Sequence, residues 1–365
     1  AAAPQIAAFF NSPDAAPVIR GLSWIIPLSG LVNAGVLNLQ KELNLGKHFF
    51  IEIVSTSANL VVAIAVALIT RSVWAIIWGA IAEHLVKVVI SYAIVPMRPR
   101  LELDRKKLAD LIGFGKWVGG STILVFLITQ GDDIVVGRML GGPVLGLYQM
   151  AFLISNMPAT EITTVITRVT LPAYSRLQDD MRQLRAAACK VIQLNLFLSV
   201  PIAGTLFFLS SDITQVLLGE KWMPMVPAME ILCLSGMFRS VNSMLSVLFT
   251  SIGKPKFVTK TAAIQLCLLF LLIFPLVKKF GLAGAALSTM IPNALIMLYI
   301  LIHLVKDLQF DIKKIVMSFG LPLAGTGAAL ATMQLARSVP APGVVFLPIA
   351  LFSGALAYLT TIYLA

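Results

Sequence analysis

Eleven long apolar segments follow one another along this chain, separated by short polar breaks. The bilayer core offers no water to backbone N–H and C=O groups, so each segment must satisfy its own, and stretches of this length do so as helices. The expected fold is therefore all-α and polytopic. Spans are predicted at 17–39, 49–70, 73–96, 112–131, 143–170, 186–210, 224–251, 258–277, 282–305, 315–335 and 342–364. Most exceed the roughly 20 residues that cross the hydrocarbon, so tilt follows. Pro27, Pro158, Pro201, Pro292, Pro322 and Pro348 fall inside spans, and each removes a helical hydrogen bond. They fit kinked helices in a protein whose halves rock, and equally the general tolerance of membrane helices for proline.

Composition excludes several classes. The chain is 58% hydrophobic and 12% charged, against about 25% charged in soluble domains. Its net charge of +11 sits in loops between apolar segments, which points to anionic membrane lipids as partners and not to nucleic acid. Cys189, Cys233 and Cys267 all lie in apolar segments without a CxxC or Cys/His cluster, so neither a metal nor a disulfide is expected. The chain carries neither a Gly-rich phosphate loop nor a nucleophile constellation. No cofactor and no ATP hydrolysis are expected. No loop is long enough for a soluble catalytic module, which argues for a transporter and against an enzyme. The chain opens at Ala1, and 1–10 reads like the tail of a preceding segment, so a longer N-terminal part is expected.

Orientation follows from the Lys/Arg bias. The side holding 40–48, 97–111, 171–185, 252–260 and 306–314 carries 16 Lys and Arg, and the other side 6. The first side is expected to be cytoplasmic, which puts the C-terminus in the cytoplasm. The most polar internal stretch, 97–110, is basic, with leucines at 101, 103 and 108. It reads as a cytoplasmic linker, 97–111, with an interfacial helix. It separates three spans (1–96) from eight.

Ionisable groups inside spans are costly and are candidates for function. Glu83, His84 and Lys87 lie mid-span. Glu83 and Lys87 are four apart, so they could pair on one helix face, while Glu83 and His84 could couple ions. Asp132 and Asp133 follow Gln130 and Gly131 and read either as a solvated helix end or as an ion site. Arg138 follows closely. Arg239, near the middle of its span beside Asn242 and Ser243, suits an anionic substrate. Glu161 is likewise deep, and an Arg239–Glu161 pair is the bland alternative. Lys116 and Arg168 are further candidate cations, each near enough to a span end to snorkel. Asn195, Gln265 and Asn293 read as interhelical hydrogen-bond formers.

Three stretches are more specific: GDDIVVGRMLGGPVLGLYQMAF at 131–152, TRVTLPAYSRLQDD at 167–180 and LLGEKWMPMVPAMEIL at 217–232. They resemble Wzx-type flippases, the polysaccharide transporter branch of the multidrug/oligosaccharidyl-lipid/polysaccharide exporter superfamily, and within it the colanic-acid exporter-like group. The matching positions are Asp133, Gly137, Arg138, Gly141, Leu145, Gly146 and Tyr148, then Pro172, Ser175, Arg176 and Leu177, then Gly219, Lys221 and Trp222. The resemblance implies about fourteen helices in two lobes plus a trailing pair. On it, 1–96 would be the remainder of the N-terminal lobe, 112–305 the C-terminal lobe and 315–364 the trailing helices. The implied activity is translocation of a polyprenyl-diphosphate-linked oligosaccharide across the bacterial inner membrane by alternating access, with a polysaccharide polymerase as a partner in assembly. The rivals are a cation-coupled drug or small-molecule antiporter of the same superfamily, and a membrane polysaccharide polymerase or ligase.

Overall fold

The computed structural model describes residues 2–41, 45–98, 105–178, 180–338 and 343–364. The protein is all-helical there. It divides into two compact units, Ala1–Gly120 and Ser121–Ala365.

The first unit holds α1 (Ala3–Phe9), α2 (Ala15–Ser23), α3 (Ile25–Gly30), α4 (Val36–Lys41), α5 (Leu45–Thr70) and α6 (Trp74–Ile94). The span expected over 17–39 is not one helix; it is broken into α2, α3 and α4. Asn33 accounts for the second break. Its Oδ1 accepts from the Gly35 N–H at 2.9 Å, its Nδ2 donates to the Met97 carbonyl at 2.8 Å, and its own N–H donates to Ser91 Oγ at 3.1 Å. These bonds satisfy backbone groups that a continuous helix would have paired. The main pairing is α5 against α6, and small residues let the two approach. A Cβ on Gly79 would stand 2.6 Å from Asn59 Oδ1 and 2.9 Å from Ala63, the close packing that membrane helices favour. The outward faces are apolar; Leu68 and Ile69 are 76% and 83% exposed.

α7 (Arg105–Leu140) runs from the first unit into the second. It extends past the expected end at 131 and passes through Asp132 and Asp133 without a turn. The chain turns instead at Gly141, where φ is 86°, a value that glycine adopts without Cβ strain. This explains one glycine of the motif. Of the basic stretch expected as a linker, 105–111 is the start of α7, while 99–104, with its leucines at 101 and 103, lies outside the described residues.

The second unit continues with α8 (Gly142–Arg176), α9 (Met181–Phe208) and α10 (Ser210–Ile213). A π turn (Thr214–Leu218) and a 3-10 turn (Glu220–Met225) lead into α11 (Val226–Ser251). Then come α12 (Pro255–Leu308), α13 (Ile312–Ala336) and α14 (Gly343–Leu364). A straight helix of 54 residues would run about 80 Å, far beyond one bilayer. α12 is instead folded at Gly281, with φ 55° and ψ −128°, into the two spans expected over 258–277 and 282–305. Gly284 then lies directly on the Leu276 carbonyl, with no room for a Cβ.

Among the described residues, six helices are long and apolar enough to cross a membrane: Gly46–Thr70, Trp74–Ile94, Met181–Phe208, Glu220–Ser251, Pro255–Leu308 and Val345–Leu364. The protein is a multi-pass membrane protein. Two apolar clusters fill the second unit. One gathers Val136, Tyr148, Leu209, Met229, Leu232 and Ile273. The other gathers Leu184, Leu196, Leu245, Leu248, Phe249 and Leu304. On α11 the first cluster ends at Cys233 and the second begins at Val241; on α12 the gap runs from Ala286 to Ile296. Polar residues occupy both gaps.

Candidate functional site

Asn293 organises that polar layer. Its carbonyl accepts from Asn242 Nδ2 at 2.9 Å and its Oδ1 accepts from Gln265 Nε2 at 3.2 Å. Its Nδ2 donates to Ser235 Oγ at 3.2 Å and to the Thr289 carbonyl at 2.9 Å. α11 and both arms of α12 are thus tied through one amide. Gln265 and Asn293 make the interhelical bond expected of them. A second chain joins α8, α11 and α9: Thr163 Oγ1 and Ser240 Oγ share a bond of 3.0 Å, and Ser240 donates to Asn195 Oδ1 at 2.9 Å.

Several valences in this layer are left over. Arg239 Nη2, Asn195 Nδ2, Ser199 Oγ and Asn242 Oδ1 are buried without a hydrogen-bond partner. Unmet buried polar atoms cost stability and call for an explanation. Arg239 is the most costly of them. Its guanidinium carbon lies 5.2 Å from the centre of the Phe152 ring, a cation–π contact. Glu161, the carboxylate expected as its alternative partner, is exposed on α8, and no ion pair joins the two among the described residues.

Arg239 lines two adjoining cavities. One, of about 100 Å³, is bounded by Thr129, Asp132, Phe152, Ser235, Gln265 and Asn293 among others. The second, of about 460 Å³, is rich in hydroxyl and amide groups: Thr163, Thr164, Thr167, Asn242, Ser243 and Ser246. Both are lined by Ile128, Arg239, Gln265 and Asn293. A third cavity, of about 190 Å³, shares Thr129, Asp132 and Phe152 with the first and reaches Asp133 and Gln149.

The acid in this region is chiefly Asp132. It is 4% exposed, and its Oδ2 accepts a 2.7 Å bond from the buried Tyr148 hydroxyl. The solvated helix end expected at 132–133 is therefore incorrect for Asp132. In the sequence both aspartates have the same two readings, with Asp133 alone a motif position; their helical positions, about 100° apart, separate them. Asp133 accepts a weaker bond from Gln149 Nε2 at 3.2 Å at the exposed edge. The signal available beforehand was Tyr148, sixteen residues on, which was read only as a motif position.

The cluster in the first unit is arranged differently from the expectation. Lys87 does not pair with Glu83 on its own helix. Its Nζ is 2.6 Å from Glu52 Oε1 on α5, with His48 Nε2 3.9 Å from the same oxygen. Glu83 accepts from Asn59 Nδ2 at 2.6 Å, and the His84 ring bonds the Ala80 carbonyl at 2.9 Å. Lys87–Glu52 and Glu83–Asn59 thus cross the α5–α6 interface, while the His84 bond stays within α6. The side chains of Lys116, Arg168 and Pro172 lie outside the described residues. Of the other motif positions, Gly137 and Tyr148 are buried, Gly146 is half-buried, and Arg138 is exposed in the last turn of α7. Among the described residues no group of His, Cys, Asp and Glu could hold a metal ion.

A family model described as polysaccharide biosynthesis protein matches residues 1–227. The chain belongs to this family. Lipopolysaccharide biosynthesis protein WzxC of Escherichia coli (strain K12) is 30% identical over 242 residues, covering 64% of this chain and 48% of that protein. Succinoglycan biosynthesis transport protein ExoT of Rhizobium meliloti (strain 1021) is 25% identical over 233 residues, covering 64% and 47%. The chain thus spans about half the length of the curated relatives it matches. The solved structure of lipid II flippase MurJ in an inward closed conformation superposes with a TM-score of 0.72 over 96% of this chain and 72% of that one, at 19% identity. The fold is MurJ-like. Of these, ExoT is named as a transport protein and MurJ as a lipid II flippase.

Proposed function

We propose that this chain belongs to a flippase that moves a polyprenyl-diphosphate-linked oligosaccharide across the bacterial inner membrane by alternating access. On this reading it contributes eleven of about fourteen spanning helices. Residues 1–96 complete one lobe, 97–111 link the lobes, 112–305 form the second lobe, and 315–364 are a trailing pair whose end is cytoplasmic. The observation that carries the reading is Arg239. A guanidinium with a buried, unpartnered Nη2 stands where two polar cavities adjoin. Arg239 makes no ion-pair contact among the described residues, although Asp132 lines the same cavity; a guanidinium so placed suits an anionic ligand group such as a diphosphate, and the hydroxyl-rich cavity beside it suits sugars. Lys116 and Arg168 are the next candidate cations on this reading. Two similar proteins, a succinoglycan biosynthesis transport protein and a lipid II flippase, support the same class.

The antiporter reading draws on one observation, the buried Asp132, bonded to Tyr148 and lining the same cavity as Arg239. Both readings can hold at once if this acid, or Asp133, Glu83, His84 or Glu161, couples the cycle to H+ or Na+. Complementation of a strain lacking its exopolysaccharide flippase, with the full-length protein bearing Arg239→Ala or Arg239→Lys, tests the central claim. The expected result is normal insertion of both, loss of surface polymer with alanine and partial recovery with lysine. Undiminished polymer in Arg239→Ala would remove Arg239 and its cavity from the transport path.

A further inference from the structure

A separate cavity of about 360 Å³ lies at the other end of α9, lined by Arg182, Arg185, Ala186, Cys189, Gln309, Phe310 and Asp311. Two arginines one helical turn apart bound it on one side, and the α12–α13 turn bounds it on the other. Arg185 Nε is buried and has no hydrogen-bond partner. No ion pair to Arg182 or Arg185 occurs among the described residues. The nearby carboxylates are already engaged as helix caps. Asp180 Oδ1 accepts from the N–H groups of Arg182 and Gln183, both at 3.0 Å. Asp311 Oδ1 accepts from the Lys313 N–H at 2.9 Å. Arg185 Nε therefore remains a guanidinium donor that the protein does not answer, with Arg182 one turn away beside it.

We infer that this pocket holds the phosphate of an anionic glycerophospholipid, with Arg182 and Arg185 as its ligands. Guanidinium groups match phosphate oxygens in both charge and fork geometry. Helix length selects a lipid over a soluble anion. α9 has 28 residues and is long and apolar enough to cross a membrane, with its charges Arg182, Arg185 and Lys190 all in its first ten residues. At about 1.5 Å per residue it is about 42 Å long, beyond the roughly 30 Å hydrocarbon layer. Its first turns therefore stand in the headgroup layer. This end also belongs to the side that carries most of the Lys and Arg, and basic pockets between helices there accept anionic headgroups. The inference does not depend on what the central cavities carry.

Native mass spectrometry of the purified protein with phosphatidylglycerol or phosphatidylcholine tests it. Wild type should retain phosphatidylglycerol preferentially, and Arg182→Gln/Arg185→Gln should retain it roughly 25-fold more weakly, at about a factor of five per cation. Lys278→Gln/Lys279→Gln, at the exposed turn before Gly281, should behave as wild type. Equal retention by the arginine variant would overturn the proposal. Should that variant not fold, thiol alkylation of Cys189 in the wild type, followed by peptide mass, gives a second readout. Slowing by phosphatidylglycerol but not by phosphatidylcholine is expected. Slowing by inorganic phosphate alone would assign the pocket to a soluble anion and overturn the lipid assignment.

Discussion

Tyr148 and Asp132 meet through a 2.7 Å hydrogen bond that ties α8 to α7 in the interior of the second unit, with Tyr148 fully buried and Asp132 nearly so. Tyr148→Phe removes the donor and leaves a carboxyl oxygen buried without it. A loss of about 2 kcal/mol follows, read as a lower unfolding temperature in detergent. Asp132→Asn keeps an acceptor for the hydroxyl and should cost less. A Tyr148→Phe protein as stable as wild type would show that water replaces the tyrosine.

Arg239 presents the reverse balance. Its guanidinium lies over Phe152 and makes no ion-pair contact among the described residues, with Asp132 lining the same cavity. Arg239→Met keeps much of the volume and removes a buried charge with an unmet donor, so stability should rise by about 1 kcal/mol. Surface polymer should be lost in the same variant. A fall in stability together with unchanged polymer would make Arg239 a structural residue.

The hairpin in α12 depends on two glycines in different ways. Gly284→Ala drives a methyl group into the Leu276 carbonyl, which is backbone and cannot step aside. About 2 kcal/mol of destabilisation is expected. Gly281→Ala meets open space but strains a φ of 55°, at roughly 1–2 kcal/mol. Thermal unfolding of the two variants should rank them in that order.

A double-mutant cycle can locate the partner of Lys87. Glu52→Gln with Lys87→Met should show a coupling of about 1 kcal/mol, as interhelical polar pairs in membranes do. Glu83→Gln with Lys87→Met should show almost none. Coupling in the second cycle and not in the first would restore the pairing within one helix.

Asp180 gives a pH signature outside the spans. The Gln183 N–H, helped by that of Arg182 and the Arg182 charge, holds its carboxyl below the usual aspartate value. Its folded pKa is the lower one. Its contribution is full above the unfolded value near 3.9 and is lost as pH falls through the folded value. Asp180→Asn should therefore lose less stability than wild type on acidification from about pH 5 to about pH 3. Parallel acid curves would show that the cap contributes nothing.

Much of the architecture was legible because hydropathy alone marks membrane helices. The hairpin at Gly281, the long helices and the polar character around Arg239 all follow from the spacing of apolar residues. What was not legible depends on partners distant in the chain. Nothing near Asn33 announces that Ser91 and the Met97 carbonyl will stabilise a broken span. Nothing near Lys87 distinguishes Glu83, four residues away, from Glu52, thirty-five away. Asp132 and Asp133 are neighbours in sequence, and only the face of α7 that meets Tyr148 separates them. Of the motif's glycines, Gly141 and Gly219 have a positive φ at breaks between helices, while Gly137 and Gly146 lie inside α7 and α8.

A row of polar cavities inside a membrane protein risks short-circuiting the gradients that the membrane maintains. The guanidinium of Arg239 stands where the cavities of about 100 and 460 Å³ adjoin, and a fixed positive charge there repels protons and metal cations. The same side chain that would welcome an anionic cargo would thus act as electrical insulation, keeping the interior wet without letting it conduct.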